Sequence, residues 1–143
     1  MLQSRLFAKT RKEELSGEMS AGTRLLLRAG FIDQIAAGVY AMLPLGLLTL
    51  QKIEKIIAAK MEEAGAQRIL LPALVPKKNW ETTGRWNSFD VLYKVKSRQE
   101  AEYALGATHE EIAAPLVQKF ARSYKDFPIA VYQIQTKFRD ELR

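Results

Sequence analysis

Apolar side chains recur with helical spacing in three parts of the chain. Residues 47–64 show it most clearly, because leucine, isoleucine and methionine recur at three- and four-residue intervals up to Gly65, a residue type that commonly ends helices. A Leu-rich stretch predicts a shorter helix over residues 20–30. A third amphipathic pattern covers residues 108–124, and Pro115 inside it is expected to remove a backbone hydrogen bond and kink the helix.

Period-two alternation marks the last stretch, residues 131–143. Tyr132 and Phe138 fall on one face of an extended segment, and the opposite face is polar and carries Arg139 and Glu141. The pattern predicts a half-buried strand whose polar face holds a cation beside an anion.

Shorter patterns fill the rest of the chain. Alternation on both sides of residues 97–100 predicts a β-hairpin, and the segment AQRILL at 66–71, closed by Pro72, predicts a buried strand. The remaining expected elements are an extended or loosely docked arm over residues 1–19, a short helix from Ile32, a strand near 39–42, a turn at Pro44 and Gly46, one or two helical turns over 77–83 and a loop over 85–90. Since strands and helices do not alternate regularly, the expected fold class is α+β, a largely antiparallel sheet flanked by helices.

Composition narrows the class of protein. An apolar content of 48% in 143 residues is enough for one domain with a real core. The absence of cysteine excludes disulfides and thiolate metal sites and favours a reducing, cytoplasmic compartment, and a single histidine argues against a zinc site. No apolar run approaches the roughly 20 residues of a membrane span, and the first residues lack the apolar core of a secretory signal. The net charge of +6 is compatible with a polyanionic partner, although the spread of the basic residues also fits an ordinary solvated surface.

Arg139 and Glu141 form the first candidate site. The guanidinium group offers a planar set of donors that suits a phosphate or a carboxylate. On these residues alone, a solvated ion pair worth about 0–1 kcal/mol is the more frequent explanation. The chain has no GxxxxGK or GxGxxG loop, so a bound nucleotide would depend on charged strand residues such as Arg139.

The sequence Thr-His-Glu at residues 108–110 is the second candidate. In an extended backbone Thr108 and Glu110 project to one side, where a hydroxyl and a carboxylate could accept both hydrogens of a secondary ammonium group. The competing interpretation is a capping box with Thr108 as N-cap and Glu111 three residues on, which leaves Glu110 at the positive end of a helix. His109 by itself could titrate, pack or donate a hydrogen bond.

Several motifs, in order, resemble those of class II aminoacyl-tRNA synthetases, and within that class the bacterial-type prolyl-tRNA synthetases. Residues 132–143, YQIQTKFRDELR, resemble the opening of motif 2, with its Phe-Arg-x-Glu core at 138–141. Residues 105–111, LGATHEE, resemble the Thr-x-Glu loop of the prolyl enzymes, and the helix and strand that end at Pro72 resemble motif 1. Further similar segments are LLLRAGFI at 25–32, GVYAMLPLG at 38–46, GAQRILLPAL at 65–74 and TGRW at 83–86.

The resemblance implies a role for individual residues. Arg139 would bind the α-phosphate of ATP and the proline carboxylate, and would stabilise charge as the adenylate forms. Glu141 would help to hold ATP on its adenine side, and Thr108 and Glu110 would receive the imino group of proline. Pro72 would lie at the motif 1 dimer interface. The implied ligands and partners are proline, ATP with Mg²⁺, tRNA(Pro) and a second copy of the protein, with no membrane partner.

The resemblance also implies an organisation. Residues 1–19 would form an N-terminal arm and residues 20–143 the N-terminal part of a class II catalytic domain, without motif 3, an editing domain or an anticodon-binding domain. The chain alone is therefore expected to be inactive in adenylate formation. Two alternatives stay open at this point: another class II synthetase, such as a threonyl or seryl enzyme, and a non-catalytic synthetase-like paralogue or interaction module.

Overall fold

The computed structural model describes residues 2–12 and 20–141, and the chain divides into two units, Met1–Lys60 and Met61–Arg143. Each unit has its own secondary structure. The second unit contains both candidate sites.

Helix α1, Ala21–Arg28, forms where the Leu-rich pattern predicts it. The hydroxyl oxygen of Ser20 accepts a hydrogen bond from the backbone N–H of Thr23 at 3.1 Å, which satisfies one of the free donors of the first turn. Gly30 follows the helix with a φ of +71°, a left-handed conformation that costs glycine little because it has no Cβ. The predicted start and stop of this helix are confirmed.

Residues 2–12 belong to the predicted arm. They include a 3₁₀ turn, Gln3–Arg5. The backbone N–H of Arg11 donates to the Arg28 carbonyl at 2.9 Å, and its guanidinium pairs with Asp33 at 2.8 Å. The described part of the arm is thus docked against α1 and the residues after it. Residues 13–19 of the predicted arm lie outside the described residues.

A hairpin of strands β1, Ile32–Ala36, and β2, Val39–Met42, follows. The strands pair antiparallel, with Ile32 opposite Met42, and Gly38 turns the chain with a φ of +75°. The predicted strand near residues 39–42 is confirmed. The predicted helix from Ile32 is wrong, because the glycine turn lets this short segment pair with β2 and satisfy its backbone groups across the hairpin.

Helix α2, Pro44–Glu63, is the long helix that the periodicity predicts, but it begins earlier. The predicted turn at Pro44 and Gly46 is wrong. Proline is well suited to the first position of a helix, where its missing N–H leaves no bond unmade. A Cβ on Gly46 would lie 2.0 Å from the Phe31 carbonyl oxygen, so this glycine permits a close backbone approach rather than a turn. Gly65 follows the helix with a φ of +83°.

The second unit consists of short strands and helices. Gly84, with a φ of +71°, separates two of the helices. The predicted helical turns over 77–83 are confirmed, whereas the predicted loop over 85–90 instead begins with one helical turn that buries Trp86. In chain order the elements are β3 (Gln67–Arg68), β4 (Leu74–Pro76), α3 (Lys77–Thr82), α4 (Arg85–Ser88), β5 (Lys94–Lys96), β6 (Glu102–Leu105), α5 (Glu110–Phe120), a 3₁₀ turn (Tyr124–Asp126) and β7 (Val131–Tyr132).

Strands β4, β6 and β5 form an antiparallel sheet in that spatial order. Val95 of β5 faces Tyr103 of β6, which confirms the predicted hairpin. On the other side of β6, Ala104 faces Val75 of β4. The expected largely antiparallel α+β architecture is therefore present.

Strands β3 and β7 form a separate parallel pair, with Gln67 opposite Val131. The predicted buried strand over residues 66–71 is wrong for most of its length, since β3 has two residues and both are exposed. Beyond this pair, a side chain forms the hydrogen bonds to the backbone. The amide of Gln135 bonds to both the N–H and the carbonyl of Leu71, each at 3.0 Å.

The core of the second unit lies among β4, α3, α4 and β6. Trp80 is fully buried, and Trp86 is 7% exposed. Both tryptophans therefore serve packing. Helix α5 contributes the half-buried Ile112 to the edge of this core, whose buried members are Val75, Trp80, Trp86, Leu92, Ala104 and Ala107.

Candidate functional site

The last described residues run as an extended segment across the second unit, which we call the terminal segment, residues 133–141. The backbone N–H of Phe138 donates to the Gly106 carbonyl at 3.1 Å, and that of Asp140 donates to the Val91 carbonyl at 2.9 Å. Within residues 131–141, the predicted strand over 131–143 is thus regular only in β7, and residues 142–143 lie outside the described residues. Its continuation bonds to two different segments in turn, so no single partner strand completes a ladder.

Arg139 and Glu141 lie together on the terminal segment, as the alternation predicts. Their charged atoms are 3.9 Å apart, and their side chains are 53% and 62% exposed. The Nε of Arg139 donates to the Ala107 carbonyl at 3.3 Å, which leaves the outer edge of the guanidinium available to a ligand. This bond ties Arg139 to the loop that carries Thr108.

Thr108 and Glu110 lie on either side of His109 at the start of helix α5. Thr108 is half-buried in the loop before the helix, and Glu110 is the exposed first helical residue. The predicted capping box is wrong: the N-cap is His109 and it makes no side-chain capping bond. Instead, Glu111 turns inward, which leaves Thr108 free of the capping role.

The carboxylate of Glu111 forms a buried ion pair with Arg85. Its Oε1 lies 2.6 Å from Arg85 Nη1, and its side chain is 1% exposed. The guanidinium of Arg85 lies over the rings of Phe89 at 4.1 Å and Trp80 at 5.6 Å. The amide of Asn79 donates to the Glu111 carbonyl at 2.8 Å. Together these contacts fix the first turn of α5 to α3 and α4.

His109 is fully buried and joins three segments of the second unit. Its Nε2 lies 3.1 Å from the Pro72 carbonyl oxygen and 3.0 Å from the amide nitrogen of Gln135. Its Nδ1 lies 2.5 Å from Lys137 Nζ on the terminal segment. Its ring packs so closely on Gly106 that a Cβ there would lie 2.7 Å from two imidazole atoms. Sequence reasoning left His109 open and missed this role. The available signal was the pair of small residues, Gly106 and Ala107, three and two positions before it.

The electrostatics of the site centre on Lys137. Burial lowers the pKa of Lys137 below its ordinary value, the carboxylate of Glu110 partly offsets this, and the charge of Arg139 adds to the lowering. Burial also lowers the pKa of His109, and the charge of Lys137 lowers it further, against the opposing effects of the Pro72 carbonyl and of Glu110 and Glu111. Glu110, Lys137 and Arg139 therefore lie within electrostatic range of one another.

The predicted site residues are only partly brought together. Arg139 contacts the loop of Thr108, and Lys137 links it electrostatically to Glu110. Glu141 lines an open depression of about 530 Å³ with Asp90 and Asp140. Glu110 lines a different groove, of about 570 Å³, between α3 and α5. The two carboxylates that the resemblance assigns to ATP and to proline thus face different depressions.

Pro72 is exposed and lies in the connection between β3 and β4, and its carbonyl holds His109.

The grouping of side chains and the hydropathy of the helices indicate whether the described residues could bind a metal ion or span a membrane. Among residues 2–12 and 20–141, no group of three or more His, Cys, Asp and Glu side chains could hold a metal ion. In the same described ranges, no helix combines the length and the apolar character needed to cross a bilayer.

Comparison with known proteins identifies relatives of the chain. A family profile described as "tRNA synthetase class II core domain (G, H, P, S and T)" matches residues 93–143. The proline–tRNA ligase of Sulfurihydrogenibium sp. (strain YO3AOP1) is 50% identical over 144 aligned positions, which cover 100% of this chain and 26% of the relative.

Solved structures show the same fold. Prolyl-tRNA synthetase from Cryptosporidium parvum, complexed with halofuginone and AMPPNP, superposes with a TM-score of 0.73 at 23% identity, over 85% of this chain and 25% of that one. Giardia lamblia prolyl-tRNA synthetase in complex with prolyl-adenylate gives a TM-score of 0.71 at 24% identity, over 78% of this chain and 24% of that one.

The expected fold class is confirmed by these neighbours, and the resemblance drawn from the motifs is confirmed by the relatives. The chain spans about a quarter of the length of the relative that it matches over its whole length. Along its whole length the chain is homologous to part of the proline–tRNA ligases, and its residues 93–143 match the class II core-domain family.

Proposed function

We propose that this chain is part of the catalytic domain of a proline–tRNA ligase, which attaches proline to tRNA(Pro) with ATP through prolyl-adenylate. The observation that carries the proposal is the 50% identity to a proline–tRNA ligase along the whole chain. A threonyl or seryl enzyme, or a non-catalytic paralogue, is less well supported. Structural similarity at low sequence identity does not tell which amino acid an enzyme uses, whereas the high sequence identity is to a proline–tRNA ligase.

Arg139 is the proposed meeting point of the two substrates. Its guanidinium is half-exposed and is anchored through Nε to the Ala107 carbonyl. Its two terminal nitrogens, of which Nη1 lies 3.9 Å from Glu141 Oε1, can bind in parallel to two oxygens of a ligand. In this role it binds the α-phosphate of ATP and the proline carboxylate. It also stabilises the charge that develops at the phosphorus in the transition state.

Thr108 and Glu110 are the proposed acceptors for the proline nitrogen. Prolinium carries two N–H donors and a positive charge, and a hydroxyl and a carboxylate on neighbouring positions match both properties. The ion pair between Glu111 and Arg85 supports this site indirectly, since it fixes the first turn of α5 that carries Glu110. Glu141, beside Arg139, is the proposed contact on the adenine side of ATP.

The proposed reaction has two steps. A carboxylate oxygen of proline attacks the α-phosphorus of ATP, and the bond to the leaving pyrophosphate breaks. The terminal ribose hydroxyl of the tRNA then attacks the prolyl carbonyl and releases AMP. The contribution of this chain is positioning and charge stabilisation rather than covalent catalysis. The Giardia relative with bound prolyl-adenylate and the Cryptosporidium relative with AMPPNP, an ATP analogue, are consistent with these ligands.

The remaining expectations of the family are part of the proposal. They are Mg²⁺ accompanying ATP, tRNA(Pro) as the second substrate, a homodimer in which Pro72 lies near the interface, and a cytoplasmic location. The proposed organisation is an arm over residues 1–19 and a partial catalytic domain over residues 20–143. Because the chain spans about a quarter of the length of its relative, the chain alone is proposed to be inactive.

Proline-dependent exchange of labelled pyrophosphate into ATP tests the function. The full-length synthetase is expected to catalyse the exchange with proline, and this chain alone is expected not to. Exchange that depends on threonine or serine but not on proline would refute the assignment, and exchange by the chain alone would refute the proposed incompleteness.

Two variants of the full-length enzyme test the residue roles. Glu110→Ala is expected to raise the KM for proline by far more than the KM for ATP, since removal of one partner of a desolvated charge pair costs about 2–5 kcal/mol. Arg139→Ala is expected nearly to abolish exchange. Glu81→Ala, which removes an exposed glutamate on α3, is the matched control and should change neither constant. Equal effects of Glu110→Ala on both KM values would contradict its role.

A further inference from the structure

The imidazole of His109 is held in one orientation. Its Nε2 lies 3.1 Å from the Pro72 carbonyl oxygen, and its ring rests on Gly106 at a distance that excludes even a methyl group. Rotation of the ring would require movement of the loop before α5 or of the connection after β3. The position of Nδ1 is therefore set by the backbone around it.

Hydrogen-bond chemistry fixes the tautomer of this ring. The ammonium of Lys137 has only donors, so the Nδ1 that it contacts at 2.5 Å must be the acceptor. The proton of the neutral ring is then on Nε2 and is donated to the Pro72 carbonyl at 3.1 Å. The amide nitrogen of Gln135, 3.0 Å from the same Nε2, is also a donor, and it donates to the Leu71 carbonyl. Burial and the charge of Lys137 both lower the pKa of His109, so the ring is neutral at neutral pH. In this state His109 presents a fixed acceptor to a lysine.

Lys137 has a second attractive partner close by. Glu110 directly follows His109, whose ring the ammonium contacts, and its carboxylate acts to raise the pKa of Lys137. Within the part of the chain that the structure describes, Lys137 nevertheless forms no salt bridge, and its ammonium bonds to the imidazole instead. If it were released, Lys137 would be a tethered cation next to Glu110 at an effective concentration in the millimolar range, about that of short flexible linkers.

In the proposed reaction the charged nitrogen of proline also binds to the carboxylate of Glu110. We propose that His109 is a positioning residue that holds the ammonium of Lys137 away from Glu110, so that Glu110 remains free for the charged nitrogen of the amino acid. The proposal has two parts, and the second, in which the cation that competes for Glu110 is the nitrogen of proline, rests on the proposed function. The first part, the bond between His109 and Lys137, stands independently of it.

A double substitution in the full-length enzyme tests the competition. His109→Ala is expected to raise the KM for proline tenfold or more with little change in the KM for ATP, because the released Lys137 occupies Glu110. Adding Lys137→Met should return the KM for proline to within threefold of that of Lys137→Met alone. Lys119→Met, which removes an exposed lysine of α5 and the same charge, should not rescue His109→Ala.

A merely structural role predicts a different result. If His109 only fills space, the double variant remains as impaired as His109→Ala, and this outcome overturns the proposal. If the unsubstituted full-length enzyme does not activate proline, the proposed function fails instead, and the competition for proline fails with it.

The pH profile of the unsubstituted enzyme gives a second readout. Protonation makes both ring nitrogens donors and releases Lys137, so the KM for proline should rise as the pH falls through the titration of His109. The charged groups that face the ring are Glu110 and Glu111 from α5 and Lys137, with Arg139 beside it, from the terminal segment. Pro72, Gly106 and Gln135, which also contact the ring, carry no charged side chain. A profile that is the same in Lys137→Met would contradict the release of the lysine.

The unsubstituted chain itself allows a test without activity or mutation. It contains one histidine, so the two imidazole nitrogens give unambiguous ¹⁵N NMR signals. We expect the proton on Nε2, an acceptor-type shift for Nδ1 and a titration midpoint below the ordinary value of about 6.5. A proton on Nδ1 at neutral pH, or a midpoint at or above the ordinary value, would overturn the bond between His109 and Lys137.

Discussion

Replacement of Arg85 by methionine tests how strongly the buried ion pair holds helix α5. Glu111 would lose its partner at 2.6 Å, and because its second oxygen is buried and unbonded, the carboxylate would then have no hydrogen bond. Loss of one partner from a buried pair costs about 3–5 kcal/mol. Arg85 is one-third exposed, at 34%, so water can reach part of the site, and we expect a loss of about 3 kcal/mol, at the lower end of that range.

Urea unfolding followed by tryptophan fluorescence measures this loss. The chain has two tryptophans, and both Trp80 and Trp86 lie in the core next to Arg85, so the signal reports on this unit. The double variant Arg85→Met/Glu111→Met, which removes both charges, should recover most of the lost stability. A loss below about 1 kcal/mol, the range of exposed pairs, or a double variant no more stable than Arg85→Met, would refute the reasoning.

Three further predictions concern glycine contacts and pH. Gly106→Ala should lower the free energy of unfolding by about 1–3 kcal/mol and shift the imidazole signals of His109, because its Cβ would lie 2.7 Å from the ring; an unshifted spectrum would contradict this packing. Gly46→Ala should lower the free energy of unfolding by about 2 kcal/mol or more in thermal unfolding, because its Cβ would lie 2.0 Å from a backbone oxygen. The matched change Gly22→Ala, whose Cβ would meet nothing nearer than 3.9 Å, should raise the free energy of unfolding by about 0.5 kcal/mol. Because the pKa of His109 is lowered in the folded state, the unfolded chain binds a proton first as the pH falls. The free energy of unfolding should therefore be full above about pH 6.5 and should fall as the pH drops from there to the folded-state pKa. Urea midpoints that do not change with pH across this interval would exclude such linkage.

Long periodic patterns predict elements reliably in this chain, and short patterns do not. Helix α2 repeats its apolar spacing over several turns, so the interpretation of residues 47–64 depends on many positions at once. The segment from Ile32 offers few residues, and the same letters fit a helix or a strand. Pairing with β2, which no local pattern contains, decides between them.

The candidate site shows the same division. Arg139 and Glu141 lie together because alternation along an extended backbone requires it, and that adjacency is visible in the sequence. The capping box at Thr108 fails because Glu111 finds a better partner in Arg85, which is distant in sequence and reaches it only through the packing of α4. The role of His109 depends on contacts with residues 37 and 28 positions away, Pro72 and Lys137.

The sequence by itself determined the α+β class, the long helix α2, the hairpin of β5 and β6, the family resemblance and the residues proposed to bind proline and ATP. These follow from local periodicity and from motifs whose members are close together in the chain. Only the tertiary structure decided which carboxylate of the Glu110–Glu111 pair faces solvent, and that the single histidine is a buried acceptor for Lys137. The physical reason is that burial and hydrogen-bond partners are properties of the packed chain, and they, rather than residue type, set the charge and the orientation of each group.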